Sequence, residues 1–232
     1  MESNYLMCSR MSPKKNGNLV PNTLQLIVAL SSFVAVSSFS ATSSTQAVDT
    51  YSYELQWSQC EYKTDKDLQP QCFSQLVKAL YQLHTLYPEN ADIQALWGIN
   101  IASLAGVSGI SKALKLIKQS KEVIEQALEM DPEALNGAPY VTLGAMYYRA
   151  PGWPLSFGDD DQAKLLLEQG VKRNPNNSST LYFYADFLVT QGEKSKAIEI
   201  LHRALDLPIN PKYQIGDMGR REDIKQLLTS LE

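Results

Sequence analysis

The chain has 232 residues, of which 44% are hydrophobic and 20% charged, and its formal net charge is -4 at pH 7. This composition is typical of a globular protein that is long enough to bury a core. The acidic balance disfavours nucleic acid as a partner, because surfaces that bind nucleic acid need clustered Lys and Arg.

The first 47 residues have the pattern of an export signal. Basic residues at positions 10, 14 and 15 precede an apolar run over residues 24–36, and small residues follow it. This order of a positive segment, an apolar segment and small residues is typical of a cleaved signal peptide. We expect cleavage after Ala47 and a periplasmic location, with earlier sites at Ser40 or Ala41, or a start at Met11, as alternatives.

An uncleaved membrane anchor is the other interpretation of this segment. Its strongly apolar part is only about a dozen residues long, whereas a helix needs about 20 to cross a bilayer. Cys8 precedes the apolar run instead of ending it, so no lipobox cysteine is present. Residues 48–232 carry a net charge of about -6, because the first 47 residues hold three basic residues and one acidic residue.

Two cysteines, Cys60 and Cys72, fall within an N-terminal segment of the mature chain, residues 48–72. Two thiols in an oxidising compartment can pair, so we expect a disulfide between them. A redox-active dithiol is the alternative, but the Cys-x-x-Cys spacing that favours it is absent.

A helical repeat is clearest over residues 181–204. Apolar or small residues recur there at spacings of three and four, which places them on one helix face, and Gly192 separates two such helices. This pattern, followed by Pro208, is typical of tetratricopeptide units, which are helical hairpins of about 34 residues. The positions that match are Leu181, Tyr184, Ala185, Leu188, Ala197, Leu201 and Ala204.

Two earlier units show the same register but carry insertions. One runs from Leu143, Gly144 and Tyr147 to Pro175, and the other runs from Trp97-Gly98 to Pro132 with extra residues that include Gly106 and Gly109. Residues 73–87 predict a half-unit before them, and residues 221–231 a final capping helix. We therefore predict an all-α, tetratricopeptide-like domain over residues 73–232, with an irregular all-helical domain as the alternative.

The insertion over residues 148–161 is the most informative segment for function. Two prolines and two glycines stiffen it, while Trp153 and Phe157 give it apolar bulk. Either these rings fill the groove or the core, or the loop forms a surface for a ligand or a subunit. Asp159, Asp160 and Asp161 open the next helix, where acidic residues favour the helix dipole, and they lack the spacing of a calcium loop.

Catalytic and metal-ligating patterns are sparse. The two histidines, His84 and His202, lie in helical patterns and are most simply packing or surface residues, so we expect no enzyme, no cofactor and no metal site. Arg220 and Arg221 are a further candidate pair. They either cap the last helix and form salt bridges, or hold a carboxylate or the loop aspartates.

The insertion contains the string Pro151-Gly152-Trp153-Pro154, followed by Phe157-Gly158-Asp159-Asp160. Further distinctive strings are residues 127–132, 135–137 and 183–188, and Asp217 with Arg220 and Arg221. Together these strings resemble the T-component family of TRAP (tripartite ATP-independent periplasmic) transporters over residues 93–228, and the loop string is the most specific of them. The resemblance implies a helical, tetratricopeptide-like periplasmic protein that self-associates, as a trimer with a ligand-lining pore, and that pairs with a solute-binding protein of the transporter.

These observations leave two main hypotheses about function. The first is an accessory binding protein that holds a small apolar ligand or a solute-binding partner in a groove beneath the Trp153 loop. The alternative is a general tetratricopeptide scaffold that grips peptides of envelope proteins in its concave groove. An enzyme that uses Asp159 or Asp160 is a third class with little sequence support.

Overall fold

Residues 49–231 are described by the structure, which is a computed structural model, and they are entirely helical apart from their connections. The predicted signal peptide, its cleavage site and Cys8 lie outside the described residues. The nine α-helices of the described part are α1 (Tyr51–Tyr62), α2 (Gln69–Leu86), α3 (Ala91–Gly106), α4 (Ile110–Met130), α5 (Ala138–Arg149), α6 (Asp160–Arg173), α7 (Ser178–Thr190), α8 (Lys194–Asp206) and α9 (Gln214–Leu231).

Three helical hairpins make up most of the fold: α3 with α4, α5 with α6, and α7 with α8. Small residues let the two helices of a hairpin approach closely. A Cβ atom at Gly98 would lie 2.5 Å from Ile124 of α4, and one at Gly144 would lie 2.6 Å from Leu167 of α6. The predicted all-α, tetratricopeptide-like fold is confirmed.

The first helices of successive hairpins, α3, α5 and α7, pack side by side, and α9 continues this row next to α7. The largest core cluster joins α7, α8 and α9 through buried aliphatic residues such as Leu188, Leu201 and Ile224. Helix α2 packs on α3 at the other end of the row. The predicted half-unit over residues 73–87 is therefore a helix, as expected, and it begins four residues earlier at Gln69.

Helix α1 lies in a segment where the sequence predicted no helix. It packs against both α2 and α9, so it connects the two ends of the row. Its link to α2 includes a disulfide between Cys60 and Cys72. Tyr51 Oη donates a hydrogen bond of 2.6 Å to the carbonyl oxygen of Lys212, just before α9.

The last helix is longer than predicted. It begins at Gln214 rather than residue 221 and contains Gly216 and Gly219 in its first two turns. These glycines weaken a helix by themselves, but here they make room for α1. A Cβ atom at Gly219 would overlap the ring of Tyr62, and one at Gly216 would lie 2.9 Å from Ser58 Oγ.

Candidate binding site

A central cavity of about 730 Å³ lies inside the ring that α1 completes. Its walls are formed mainly by residues on one side of α1, α3, α5, α7 and α9. Examples are Trp57 on α1, Leu96 on α3, Thr142 on α5, Phe183 on α7 and Arg220 on α9. Proteins bind ligands and peptides in concave sites of this kind, so the cavity is the main candidate site.

Arg220 forms a largely buried part of the cavity wall, with only 6% of its surface exposed. Its Nε donates to Ser179 Oγ at 3.1 Å, and its Nη1 donates to Asp223 Oδ2 at 3.0 Å. The guanidinium also lies 4.6 Å from the ring centroid of Tyr182 and 4.9 Å from that of Phe183. The hydrogen bonds hold the guanidinium at its nitrogen atoms, and the two aromatic rings add cation–π contacts.

Arg221 follows on the same helix and also lines the cavity. Its Nη2 donates a hydrogen bond of 2.6 Å to the carbonyl oxygen of Leu207. The carboxylate that pairs with Arg220 belongs to Asp223 of its own helix, whereas Asp159 caps α6 and Asp160 accepts a hydrogen bond from Gln191. The structure therefore does not bring the arginine pair to the loop aspartates, and that alternative is wrong.

The contact between α1 and α9 includes a second tyrosine. Tyr62 Oη donates to Asp223 Oδ2 at 3.1 Å, so one carboxylate holds both Arg220 and α1. Burial raises the pKa of Tyr62 well above its usual range, with nearby Arg220 acting in the opposite direction. The phenol therefore stays protonated and remains a hydrogen-bond donor at any physiological pH.

The carboxylates that line the cavity mostly fix backbone segments around it. Asp92 Oδ1 accepts from the Leu135 N–H at 2.8 Å, and Asp217 Oδ2 accepts from the Asn210 N–H at 2.8 Å. Glu133 pairs with Arg173 at 3.1 Å. These acids hold the connections between hairpins in place at the edge of the cavity.

One of those connections has an unusual backbone. Leu135, Asn136 and Gly137 have φ values of 46°, 51° and 82°, so three consecutive residues are left-handed. A non-glycine residue in this region costs of order 1 to 3 kcal/mol and persists only where its surroundings hold it, often at functional sites. Leu135 and Asn136 line the cavity. In the sequence, only the resemblance of residues 135–137 to the T-component family drew attention to them.

The insertion between α5 and α6 separates its two aromatic residues. Phe157 packs edge-on against Tyr147 with ring centroids 5.1 Å apart, whereas Trp153 is 91% exposed and Leu155 is 66% exposed. The interpretation that both rings fill the groove or the core is therefore wrong for Trp153. Phe157 does pack against the core cluster of α5 and α6.

Backbone hydrogen bonds hold the loop in a defined shape. Gly158 N donates to the Pro151 carbonyl and Asp159 N donates to the Tyr147 carbonyl, both at 3.0 Å. Asp159 also caps α6, because its side chain accepts from the N–H of Gln162 at 2.9 Å. The loop is thus a constrained turn that displays Trp153 to solvent.

A polar cluster at the base of this loop was not predicted. Tyr148 Oη donates to Asp186 Oδ2 at 2.6 Å, and Arg149 pairs with the same carboxylate at 2.5 Å. Burial raises the pKa of Tyr148 above its usual range, and Asp186 adds to this effect. The guanidinium of Arg149 lies 5.1 Å from the Phe183 ring centroid, so the cluster joins the loop hairpin to the next hairpin.

A second, shallower depression of about 500 Å³ lies near the foot of the loop. Leu143, Tyr147 and Leu166 line it, together with acidic residues of α4 such as Glu125. No residue of the loop, 150–159, lines this depression, so the groove expected beneath the Trp153 loop stays a prediction.

Within residues 49–231, no group of three or more His, Cys, Asp or Glu side chains is placed to hold a metal ion. His84 stacks on Trp97 at 5.3 Å between ring centroids, and His202 is exposed. Over the same residues, no helix is long and apolar enough to cross a membrane.

Comparison with known proteins finds a family match to part of the chain. A family model described as tetratricopeptide repeat matches residues 155–213, which contain α6, α7 and α8. A search of curated proteins finds no match. The match covers about a quarter of the chain, and together with the three hairpins it supports a tetratricopeptide-like fold. Repeats of this kind generally mediate contacts with other proteins.

Proposed function

We propose that this chain is a non-enzymatic binding protein that holds a segment of a partner protein in its central cavity. The observation that carries the proposal is the cavity of about 730 Å³ on the inner side of the repeat, lined by helices from every hairpin. Concave surfaces of helical repeats bind extended segments of other proteins because successive helices present side chains at regular intervals.

The test uses a photo-crosslinking side chain at Thr142, which lines the cavity on α5. The matched control carries the same side chain at Thr229, which is exposed on α9 and does not line the cavity. In cells that express the full chain, we expect covalent adducts with a partner protein from position 142 and not from position 229. Absence of adducts at position 142, or the same adducts at both positions, contradicts the proposal.

A second candidate is an accessory T component of a TRAP-type uptake system. It is supported by the resemblance of the loop string and by the exposure of Trp153 on a constrained turn, because rigid exposed tryptophans are frequent anchors of protein interfaces. In this role, the Trp153 loop contacts a solute-binding protein or another copy of the chain, and a small apolar ligand occupies the cavity.

Light scattering coupled to size-exclusion chromatography tests this second candidate. The resemblance predicts a trimer that carries a small apolar molecule, detectable by native mass spectrometry. The variant Trp153→Ala should weaken the assembly if the loop lies in the subunit contact. A monomer without bound ligand, unchanged by Trp153→Ala, contradicts the T-component role and leaves the general scaffold standing.

The proposal includes export to the periplasm and removal of residues 1–47. The disulfide between Cys60 and Cys72 supports an oxidising location, since disulfides persist mainly outside the cytosol. The intact mass of the mature protein should correspond to a chain that begins at Val48 and carries one disulfide.

A further inference from the structure

We propose that one edge of the repeat, formed by the start of α4 and the Trp153 loop, binds the surface of an anionic lipid bilayer. This basic edge is defined by three apolar and three basic side chains: Ile110, Trp153, Leu155, Lys112, Lys115 and Lys118. None of them lines the central cavity, so the inference goes beyond the proposed function and does not depend on it.

The apolar residues of the basic edge are highly exposed. Trp153 is 91% exposed, Ile110 84% and Leu155 66%. Phe157 of the same loop instead packs edge-on against Tyr147 and anchors the loop. Backbone hydrogen bonds constrain the loop, so its shape keeps Trp153 and Leu155 in solvent. Exposed apolar side chains surrounded by polar residues mark sites of contact with proteins or membranes.

The same edge carries positive charge without nearby negative charge. Lys112, Lys115 and Lys118 are exposed on the first turns of α4, and residues 106–121 contain no Asp or Glu. None of the three lysines forms an ion pair with a carboxylate of residues 49–231. Since the whole chain has a formal net charge of -4, the basic edge is a local positive region on an acidic protein.

Contacts between α4 and the hairpin of α5 and α6 bring the two parts of the basic edge together. Leu143 of α5 shares a core cluster with Ile124, in the second half of α4. The loop lies further towards the start of α4, because Lys121 Nζ is 5.9 Å from the ring centroid of Phe157. The chain therefore leaves α5 in the direction of Ile110 and the three lysines. Insertions in successive helical repeats generally lie on one face, in agreement with this arrangement.

The residue types of the basic edge match the layers of a bilayer surface. A tryptophan favours the interface between headgroups and acyl chains, because its ring is apolar and its Nε1–H is polar. Lysines can lay their methylene groups along the apolar layer while their amines stay among the headgroups. Anionic lipids attract lysines that lie within a few ångströms of the surface.

A lipid surface also suits the shape of the basic edge better than a folded partner does. Its apolar side chains protrude, and none of them lines the cavity or the depression beside α4. A rigid partner would need a matching hollow for each, whereas the headgroup layer deforms around them. Over residues 49–231 no helix is long and apolar enough to cross a membrane, so the contact is peripheral. A few apolar side chains and lysines give reversible binding.

Vesicle sedimentation tests this inference. One preparation contains phosphatidylcholine alone, and the other contains equal parts of phosphatidylcholine and phosphatidylglycerol, which is anionic. The mature protein with its disulfide intact is mixed with each preparation. It is used as wild type and as two edge variants, Trp153→Ala and the triple variant Lys112→Gln/Lys115→Gln/Lys118→Gln.

Two matched controls lie outside the basic edge. The triple variant Lys78→Gln/Lys172→Gln/Lys225→Gln removes the same charge from exposed lysines on α2, α6 and α9. Leu86→Ala removes an apolar side chain that is 73% exposed at the end of α2. Circular dichroism melts of all variants verify that the fold is retained, as expected for exposed positions.

We expect the wild type to bind the anionic vesicles and not the neutral ones, with an affinity that falls as salt is added. The triple edge variant should bind about a hundredfold more weakly, because each lysine near an anionic surface contributes about fivefold. Trp153→Ala should weaken binding by about tenfold, and both controls should stay within about twofold of the wild type. Lipids brominated in their acyl chains should quench part of the tryptophan emission of the wild type but not that of Trp153→Ala.

Other results would overturn the inference. Binding to neither preparation, equal binding to both, or equal losses in edge and control variants would each contradict a basic membrane contact. If the edge variants instead dissociate an oligomer in light scattering and no vesicle binding occurs, the basic edge is a contact between copies of the chain. These results leave crosslinking from Thr142 unaffected, so failure of the lipid contact is distinct from failure of the proposed function.

Discussion

The hairpin of α5 and α6 and the hairpin of α7 and α8 share their packing but differ in their connection. Both have a small residue on the first helix: Gly144 in α5 faces α6, and Ala185 in α7 is fully buried in the core cluster that includes α8. Three residues, 191–193, connect α7 to α8, whereas ten residues, 150–159, connect α5 to α6. The insertion leaves the helix contact unchanged, because it lies at the end of the hairpin.

What the insertion adds is therefore exposed surface. The short connection turns at Gly192, whose φ of +78° favours glycine, and it displays no large apolar side chain. The long connection anchors itself through Phe157 and presents Trp153 and Leu155. The comparison indicates that helix packing determines the fold of both hairpins. The long connection gives the hairpin of α5 and α6 an exposed apolar surface that the other hairpin lacks.

The largest expected effect is at the shared helix contact. Gly144→Ala should lower the free energy of unfolding by about 1 to 3 kcal/mol, because the added Cβ would lie 2.6 Å from Leu167 Cγ and 3.2 Å from the Ala163 carbonyl oxygen. Urea unfolding of the mature protein measures this difference.

The matched variant is Ala185→Gly in the regular hairpin. It should lower the free energy of unfolding by about 1 kcal/mol, because it removes a buried methyl group and weakens the helix. If Gly144→Ala proved as stable as the wild type, the two hairpins would not share the tight contact on which the comparison depends.

A smaller effect is expected at the starts of the second helices. Asp159→Ala should cost about 1 kcal/mol, because the side chain of Asp159 accepts a hydrogen bond from Gln162 N at the first turn of α6. Glu193 precedes α8 but forms no side-chain cap, and its pair with Lys196 is exposed. Glu193→Ala should therefore change stability by less than about 0.5 kcal/mol.

Thermal unfolding at neutral pH compares these two variants directly. If the two variants lost equal stability, the hydrogen bond that Asp159 accepts from Gln162 N would contribute no measurable stability as a cap.

The smallest expected effect on stability is that of Trp153→Ala, which should lie within about 0.5 kcal/mol of the wild type because the side chain is 91% exposed. Phe157→Leu is the control, and it should lose about 1 kcal/mol because it removes the ring that packs on Tyr147. Chemical unfolding measures both. A large loss for Trp153→Ala would contradict the view that this side chain serves a surface function.

The sequence predicted the hairpins well where local pattern and tertiary packing agree. Residues 181–204 were assigned to two helices, and α7 and α8 are found there with slightly longer bounds, Ser178–Thr190 and Lys194–Asp206. Asn177, directly before these residues, caps α7 with its side chain, as capping preferences favour for asparagine. These features depend on neighbouring residues, which is why periodicity and capping rules located them.

The sequence did not predict α1, the start of α9 or the joining of the two ends of the row around the cavity. Helix α1 has no apolar stripe along one face, and its buried residues are Ser58 and Cys60. Gly216 and Gly219 have low helix propensity, but α9 includes them because α1 crosses α9 there and leaves no room for larger side chains. These features depend on contacts between distant residues, and a local pattern contains no information about them.

The α1–α9 contact also has a consequence for how the chain reaches its folded state. Repeat arrays usually fold from local contacts, so they can begin anywhere and propagate. Here the hydrogen bond from Tyr51 to Lys212 joins residues separated by 161 positions. Such long-range contacts slow folding and form late, after the C-terminal helix has been synthesised. The hairpins can therefore form early, but the cavity is complete only when α9 has met α1.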